Sequence, residues 1–397
     1  MLVTHWRVRI AEYTGGNTMD VTVSTKTETV TGVIASRDRF LGCLLGGAVG
    51  DALGAGVEFK SRAQILEAFG PKGITGYAPI YGGLGRITDD TQMTLFTAEG
   101  LLRGWVRGCL KGITTYVGVT GEAYQRWLAT QGERPRSDVD LVREPGWLYP
   151  QRDLHHRRSP GNTCLSALRA TPSEEGFALN DRKGCGGVMR VAPVGLFHWS
   201  LREHHSARET FRLGCGLAAL THGHPTGQLT AGVLAVMIRE LADGTSLTEA
   251  LAVAKPFLRE EKDHDETLRA IELAEDLAAG NVPSQKAIAR LGEGWIAEEA
   301  LAISLYCALV ACDFRHGVIL AVNHDGDSDS TGSITGNLLG TLYGVDAIPQ
   351  QWLEPLELRE VIAEIAEDLH DCIEWPLSPF GNDPEVQKHL WRKYPGH

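Results

Sequence analysis

The sequence lacks the features of a secreted or membrane-spanning protein. Its eight cysteines form no C-x-x-C pair, and their spacing suggests neither a disulfide framework nor a zinc knuckle. No run of about 18 apolar residues is available to cross a bilayer. The N-terminus, MLVTHWRVRIAEYTGG, does not place an apolar segment after a basic one, as a secretory leader would. We therefore expect a reduced, cytoplasmic protein with no membrane partner.

Positive charge is also scarce. The 397 residues include 38 basic and 50 acidic side chains, for a formal net charge of −12. Nucleic-acid binding requires a basic surface, so we expect no nucleic-acid partner. A substrate that carries phosphates stays compatible with this charge if cations mediate the contact. The length suits one large domain or two ordinary ones, and the hydrophobic content of 43% allows a full core.

Strand patterning is confined to the first 37 residues. The stretch VTVSTKTETVTG alternates β-branched and polar residues, which predicts a strand or hairpin, with an incidental tail as the alternative. From Phe40 onward the apolar pattern is helical. Beyond the glycine-rich segments described below, helices are predicted over roughly 91–105, 119–130, 162–170, 208–221, 228–243, 247–258, 264–278, 296–312 and 357–373. This pattern favours an all-α domain.

Two segments repeat glycine at every fourth position. The glycines stand at 42, 46, 50 and 54 in the first segment and at 332, 336, 340 and 344 in the second. This spacing puts each set on one face of a helix, although each glycine costs about 0.5–1 kcal/mol there relative to alanine. We expect two central helices whose backbones pack closely on each other. Residues 131–160, which are polar and rich in arginine, are instead predicted to form a long surface loop.

Acidic and hydroxyl residues crowd before two apolar helices. One cluster is Thr88-Asp89-Asp90-Thr91, and the other is DGDSDSTG, with aspartates at 325, 327 and 329. Helix capping explains one such residue in each cluster, but not adjacent carboxylates. Oxygen ligands at this spacing suit divalent cations, and two clusters together would hold two ions. The alternative is a solvated loop. An EF-hand fits poorly, because Ser330 replaces the loop glycine and Gly336 replaces the final glutamate.

Six motifs follow one another along the chain, namely GCLLGGAVGDALGAGVEF, ITDDTQM, RSPGNT, GCGGVMRVAPVGL, THGHPTG and GDSDSTGSITGNLLGTLYG. In this order they resemble the motifs of the ADP-ribosylglycohydrolase family across roughly residues 38–375. The resemblance implies a compact, orthogonal, all-α multi-helix domain over 38–397, with two Mg²⁺ or Mn²⁺ ions in a central cleft. Residues 1–37 would be an N-terminal extension. The activity implied is removal of ADP-ribose from modified side chains, commonly arginine and in some branches serine.

The resemblance also assigns roles to individual residues. The metal ligands it implies are Thr88, Asp89, Asp90, Asp327, Asp329 and Ser330. The substrate-binding residues it implies are Gly161, Asn162, Gly184, Gly186, Gly187, Met189 and His222, although an isolated histidine such as His222 is more often a structural residue. Glu58, Asp90 and Asp327 are the carboxylates expected to act in catalysis. Asp51 is expected either to support the site from a buried position or only to pack within its helix, and not to act directly in catalysis. Cys185 stands where the family usually has asparagine.

Several functions stay open from the sequence. The first is metal-dependent hydrolysis of the N-glycosidic bond to arginine in an ADP-ribosylated protein, by attack of water without a protein nucleophile. Alternatives are hydrolysis of O-linked ADP-ribose on serine, a two-metal phosphoester hydrolase and a non-enzymatic binder. The resemblance also allows an immunity protein that reverses the modification made by an ADP-ribosyltransferase toxin. In that case the strand-like extension over 1–37 would bind the cognate toxin by strand addition.

Overall fold

A computed structural model describes residues 34–136, 139–170, 172–173, 176–378 and 383–396. The strand or hairpin predicted near the N-terminus lies outside these ranges. Within them the regular structure comprises seventeen α-helices and four short 3₁₀ turns, with no strand, so the all-α prediction is confirmed. None of the described helices combines the length and apolar character that crossing a bilayer requires.

The α-helices are α1 Ser36–Gly54, α2 Arg62–Phe69, α3 Asp89–Lys111, α4 Tyr116–Thr130, α5 Asn162–Arg169, α6 Ala192–Ser200, α7 Ala207–Ala219, α8 Pro225–Ala242, α9 Leu247–Glu260, α10 Asp265–Ala279, α11 Ser284–Leu291, α12 Ala297–Leu309, α13 Phe314–Ala321, α14 Ser328–Tyr343, α15 Gln350–Leu353, α16 Arg359–Asp371 and α17 Pro384–Lys393.

Local sequence determines where several helices begin. At α2, α7 and α9 a serine N-cap and a glutamine or glutamate three residues later form reciprocal capping boxes. Helices α3 and α14 are capped instead by Thr88 and Asp327, two residues of the predicted metal clusters. The same side chains that start these helices therefore bring their oxygens to the helix N-termini.

The two glycine-rich helices pack directly on each other, as predicted. A Cβ atom added to Gly336 of α14 would lie 2.0 Å from the carbonyl oxygen of Gly46 in α1. The amide of Asn337 also donates to the carbonyl oxygen of Cys43, at 2.8 Å. Because only glycine leaves room for the backbones to approach this closely, the α1–α14 pair forms the centre of the domain.

Helices α2, α6, α11, α13, α15 and α17 were not among the predicted helices. Helix α6 is buried over nearly its whole length, so its apolar residues show no helical period. Helices α2, α11, α13 and α15 are only four to eight residues long, too short for a periodic signal.

The predicted surface loop is in fact anchored in the core. Leu148 and Leu154 are fully buried. The backbone N–H groups of Trp147 and Leu148 donate to the Glu99 carboxylate of α3, at 2.7 and 2.9 Å. The described part of this segment contains no α-helix, as a loop requires, but it does not lie entirely at the surface, because a buried acceptor on a distant helix holds part of it in place.

Candidate functional site

A cavity of about 600 Å³ lies where the N-termini of α3 and α14 meet. It is lined by all but two of the residues predicted for the site, namely Glu58, Asp89, Asp90, Gly161, Asn162, Gly184, Gly186, Met189, His222, Asp327, Asp329 and Ser330. The two exceptions are Thr88 and Gly187. The fold thus brings together residues that are far apart in the sequence, since Glu58 and Ser330 are separated by more than 250 positions.

The first acidic cluster is organised at the start of α3. The Thr88 hydroxyl accepts a hydrogen bond from the Asp90 N–H at 3.3 Å, and Thr88 is fully buried behind the cavity wall. Asp89 accepts from the Gly161 N–H at 3.1 Å, which ties the RSPGNT segment to the helix. Oδ1 of Asp90 is buried and has no hydrogen-bond partner. This open acceptor is the clearest unused ligand in the cavity.

Asp51 of α1 supports this cluster from within the core, through hydrogen bonds to its carboxylate. Its fully buried carboxylate accepts from the backbone N–H groups of Thr88 and Thr91, at 3.0 and 3.1 Å, and from the Thr91 hydroxyl at 2.5 Å. Burial raises the pKa of Asp51 to about 7, and the charge of Asp329 adds to the effect. Asp51 therefore orients the Thr88–Thr91 turn and does not line the cavity.

The second acidic cluster is organised at the start of α14. The Ser330 N–H donates to Asp327 Oδ1 at 3.3 Å and to Asp329 Oδ1 at 3.0 Å. The Cys185 thiol donates to Asp327 Oδ2 at 2.8 Å. Asp325, by contrast, accepts from the Arg62 N–H at the start of α2 and does not line the cavity. Of the three alternating aspartates, two thus point to the site and one caps a neighbouring helix.

Burial and crowding disfavour the charged forms of these carboxylates. Burial raises the pKa values of Asp89, Asp90 and Asp327 well above the usual aspartate range, and the charge of Asp329 raises them further. Burial likewise raises the pKa of Glu58 to about 10, with Asp329 and Asp327 adding to the effect. A cation bound among these carboxylates would favour their charged forms and so lower the pKa values that burial and neighbouring negative charge raise.

The donor set fits a hard divalent cation in its chemistry. Carboxylate and hydroxyl oxygens are the ligands that Mg²⁺ and Mn²⁺ prefer, and Asp90 Oδ1 lacks another partner. Across the described ranges, however, no three His, Cys, Asp or Glu side chains are already arranged as a ligand set. The carboxylates share one cavity, and the dinuclear centre itself stays a prediction.

The glycine-rich segment forms a second wall. Gly184 and Gly186 line the cavity, and a Cβ atom on Gly186 would meet the Cys164 sulfur at 2.8 Å. Gly187 faces away, where an added Cβ atom would lie 3.0 Å from the Gly227 carbonyl oxygen. The predicted substrate contact therefore fits Gly184 and Gly186, whereas Gly187 permits helix packing behind them.

His222 contributes to this wall as a neutral side chain. Its Nδ1 lies 2.8 Å from the Thr221 hydroxyl, which in turn accepts from the buried Arg190 at 2.7 Å. Burial, with the nearby Arg190 charge, lowers the pKa of His222 to about 3. The structural and the ligand-contacting interpretations of His222 are thus compatible, since the ring is anchored at one nitrogen and still lines the cavity.

A buried ion-pair cluster supports the segment before Gly161. Arg158 pairs with Glu357 through its two terminal guanidinium nitrogens, Nη1 and Nη2, and Arg86 donates to the same carboxylate at 2.6 Å. The Arg158 carbonyl oxygen accepts from the Asp89 N–H at 3.2 Å. This cluster therefore fixes one cavity wall against the start of α3, which sequence reasoning did not anticipate.

Sequence reasoning also missed an aromatic pair at the cavity. The rings of Phe59 and Trp295 stack with centroids 5.4 Å apart and planes 16° apart. Both residues line the cavity, together with Arg157 and Cys164. The available signals were the aromatic residue directly after Glu58 in GVEF and the tryptophan in the glycine-rich GEGW.

Comparison with known proteins gives a consistent result. Residues 33–377 match the model of a family described as ADP-ribosylglycohydrolase. The ADP-ribosyl-[dinitrogen reductase] glycohydrolase of Rhodospirillum rubrum is 29% identical over 332 residues, covering 81% of this chain and 91% of that protein. The ADP-ribosylarginine hydrolase Tri1 of Serratia proteamaculans is 25% identical, covering 84% and 79%. A solved chain described as an ADP-ribosylglycohydrolase-related protein complex is 30% identical with a TM-score of 0.60, covering 84% and 98%.

Proposed function

The chain belongs to the ADP-ribosylglycohydrolase family, and we propose that it removes ADP-ribose from modified arginine side chains of proteins. Family membership establishes the reaction class, hydrolysis of a glycosidic bond to ADP-ribose, in a family that depends on metal ions. The proposal adds the arginine acceptor and two Mg²⁺ or Mn²⁺ ions bound in the cavity.

The observation that carries the proposal is the meeting of two acidic helix N-termini in one cavity. Asp89 and Asp90 come from α3, and Asp327 and Asp329 come from α14. Burying these carboxylates together is costly unless positive charge is added. We propose that cations supply that charge, bound by Thr88, Asp89, Asp90, Asp327, Asp329 and Ser330.

The remaining residues of the cavity have roles that follow from their positions. When bound, the cations supply a Lewis acid that orients ribose hydroxyls and lowers the pKa of a water molecule. We assign proton transfer to Asp90 and Glu58, because both carboxylates line the cavity in which the ADP-ribose would lie. Asp327 joins them as a carboxylate that the Cys185 thiol orients. Backbone at Gly184 and Gly186, with Gly161, Asn162, Met189 and His222, would surround the ADP-ribose.

Release of free ADP-ribose from defined substrates tests the proposal. Matched proteins carrying ADP-ribose on arginine or on serine are incubated with the enzyme, with Mg²⁺ or Mn²⁺, and with or without EDTA. We expect release from arginine that EDTA abolishes and that re-added cation restores. Release from serine alone would make the chain an O-linked hydrolase. Release of AMP in place of ADP-ribose would show cleavage of the pyrophosphate bond, with phosphoribose left on the protein, and would assign the chain to phosphoester hydrolysis.

The proposed partner role of the N-terminal extension can be tested separately. Arg37 forms ion pairs with Glu367 and Asp371 of α16, so a deletion should end at residue 33 to leave the domain intact. If the extension binds a cognate ADP-ribosyltransferase toxin, the deleted protein loses toxin binding and keeps hydrolysis. Unchanged toxin binding would rule out this role for the extension.

A further inference from the structure

Phe59 presents a large aromatic surface at the cavity. It follows Glu58 directly in the chain, lines the cavity, and is 70% exposed although one face of its ring stacks on Trp295. Burial therefore does not account for an aromatic side chain at this position. The exposed ring surface is available to a ligand that occupies the cavity.

The backbone of Phe59 is also held in an unusual conformation. Its φ of +65° lies in the left-handed region, which bulky residues rarely adopt. Such conformations persist where surrounding structure imposes them, and they concentrate at functional sites. Here the Glu58 N–H donates to the Gly54 carbonyl oxygen at 2.9 Å, at the end of α1. The chain thus turns sharply off the central helix and places Glu58 and Phe59 on the cavity.

Trp295 is fixed relative to the proposed cation ligands. Its carbonyl oxygen accepts from the Cys185 N–H at 3.1 Å, and the Glu293 carbonyl oxygen accepts from the Asp327 N–H at 2.8 Å. The segment 293–295 therefore bridges the glycine-rich wall and the start of α14. A group stacked on this aromatic pair would have a defined position relative to the proposed reacting centre.

The charges around the pair favour a planar cation. The indole Nε1–H of Trp295 donates to the Glu293 carboxylate at 3.1 Å, so an acidic group lies at the edge of the stack. Arg157, a basic side chain of the same cavity, pairs with Glu133 at 3.1 Å. Guanidinium groups are planar, weakly hydrated and stack on aromatic rings, whereas a serine side chain has nothing to stack.

We propose that Phe59 and Trp295 bind the guanidinium of the modified arginine and thereby select arginine over serine as the acceptor. This inference rests on the proposed function, since it concerns the side chain from which ADP-ribose is released. The competing occupant of the same surface is the adenine ring of the ADP-ribose, which would also stack on it. The two occupants predict different effects on the free sugar nucleotide.

The test compares Phe59→Leu and Trp295→Leu with the full-length wild-type protein. Phe69→Leu is the matched control, because Phe69 is a partly exposed phenylalanine at the end of α2 that does not line the cavity. Trp295→Phe keeps an aromatic ring and therefore separates the loss of aromatic stacking from a general change in packing at this position. Each variant is assayed for kcat/KM on an ADP-ribosylarginine peptide and for inhibition by free ADP-ribose.

We expect kcat/KM on the arginine substrate to fall about three- to thirtyfold in both leucine variants, chiefly through KM, as the loss of a cation–π contact predicts. The inhibition constant of ADP-ribose should stay within twofold of wild type. Phe69→Leu should resemble wild type, and Trp295→Phe should keep more of kcat/KM than Trp295→Leu, because a phenyl ring retains part of the stacking surface. A matching loss of ADP-ribose affinity would assign the surface to adenine and overturn the inference, as would unchanged kcat/KM. Wild-type protein that releases no ADP-ribose from arginine would instead refute the proposed function, and this inference with it.

Discussion

Replacing Gly336 by alanine should destabilise the domain although alanine is the better helix former. Gly336 lies in the middle of α14, where the exchange by itself would stabilise a helix by about 0.8–1.0 kcal/mol. The added Cβ atom, however, would lie 2.0 Å from the Gly46 carbonyl oxygen and 2.6 Å from its carbon. Both are backbone atoms of a buried helix, so neither can rotate away.

The two helices must therefore separate to admit the methyl group. Insertions into well-packed interiors typically cost about 1–3 kcal/mol, and occasionally more. Because the clash is with backbone at 2.0 Å, the cost should lie in the upper part of this range, and after the gain in helix propensity we expect a net loss of about 1–2 kcal/mol in the free energy of unfolding. Gly121→Ala is the matched control, because that glycine also lies within a helix but its Cβ atom would meet only the Leu220 side chain, at 3.5 Å.

Urea denaturation monitored by circular dichroism measures both variants. Gly336→Ala should lower the urea midpoint. Gly121→Ala should leave the midpoint unchanged or raise it, with a gain of up to about 1 kcal/mol in the free energy of unfolding. If Gly336→Ala is as stable as wild type, the close α1–α14 approach is not the reason for the glycine spacing.

Three further predictions concern the site and its supports. Asp329→Asn should abolish both the release of ADP-ribose and the thermal stabilisation by Mg²⁺ while the protein stays folded. The control Asp276→Asn, on the exposed face of α10, should change neither property. Wild-type turnover in Asp329→Asn would contradict its assignment as a cation ligand. Wild-type protein should gain about 2.7 kcal/mol of stability when cation is present at 100 times its Kd, and a melting temperature insensitive to Mg²⁺, Mn²⁺ and EDTA would count against cation binding. Glu357→Gln should cost about 3–5 kcal/mol at pH 7, because it leaves Arg158 buried without a charged partner. Burial raises the pKa of Glu357, but Arg158 and Arg86 outweigh it and lower the pKa below the ordinary 4.5, so this stability is present above pH 4.5 and lost as the pH falls through the lower folded value. The difference in urea midpoint between wild type and Glu357→Gln should therefore be largest at pH 7 and shrink as the pH falls below 4.5, and a constant difference would show that the charge of Glu357 is not the cause.

The acidic clusters illustrate how far local sequence reaches. The runs Thr88–Thr91 and Asp327–Ser330 signal helix starts and oxygen ligands at once, because capping and cation binding use the same residue types. The structure confirms the helix starts and brings both runs to one cavity. It separates Asp325 from the other aspartates, which their even spacing did not reveal.

Local sequence suggested a supporting role for Asp51, but it did not reveal which residues the supports of the site would contact. Asp51 acts on residues 37 positions away, and Arg158 meets Glu357 across 199 positions. Neither residue belongs to a periodic pattern that predicts its partner. Phe59 and Trp295 are each a single aromatic residue in a glycine-bearing segment, and only their mutual stacking makes them a surface.

The amino-acid sequence by itself determined the helical class, the pairing of two glycine-rich helices and the two acidic helix starts, because each depends on spacing within a short segment. Tertiary structure decided which oxygens share the cavity, which carboxylates lose their solvent, and which aromatic rings meet beside them. The physical reason is that burial and neighbouring charge depend on which distant segments are adjacent in the folded chain.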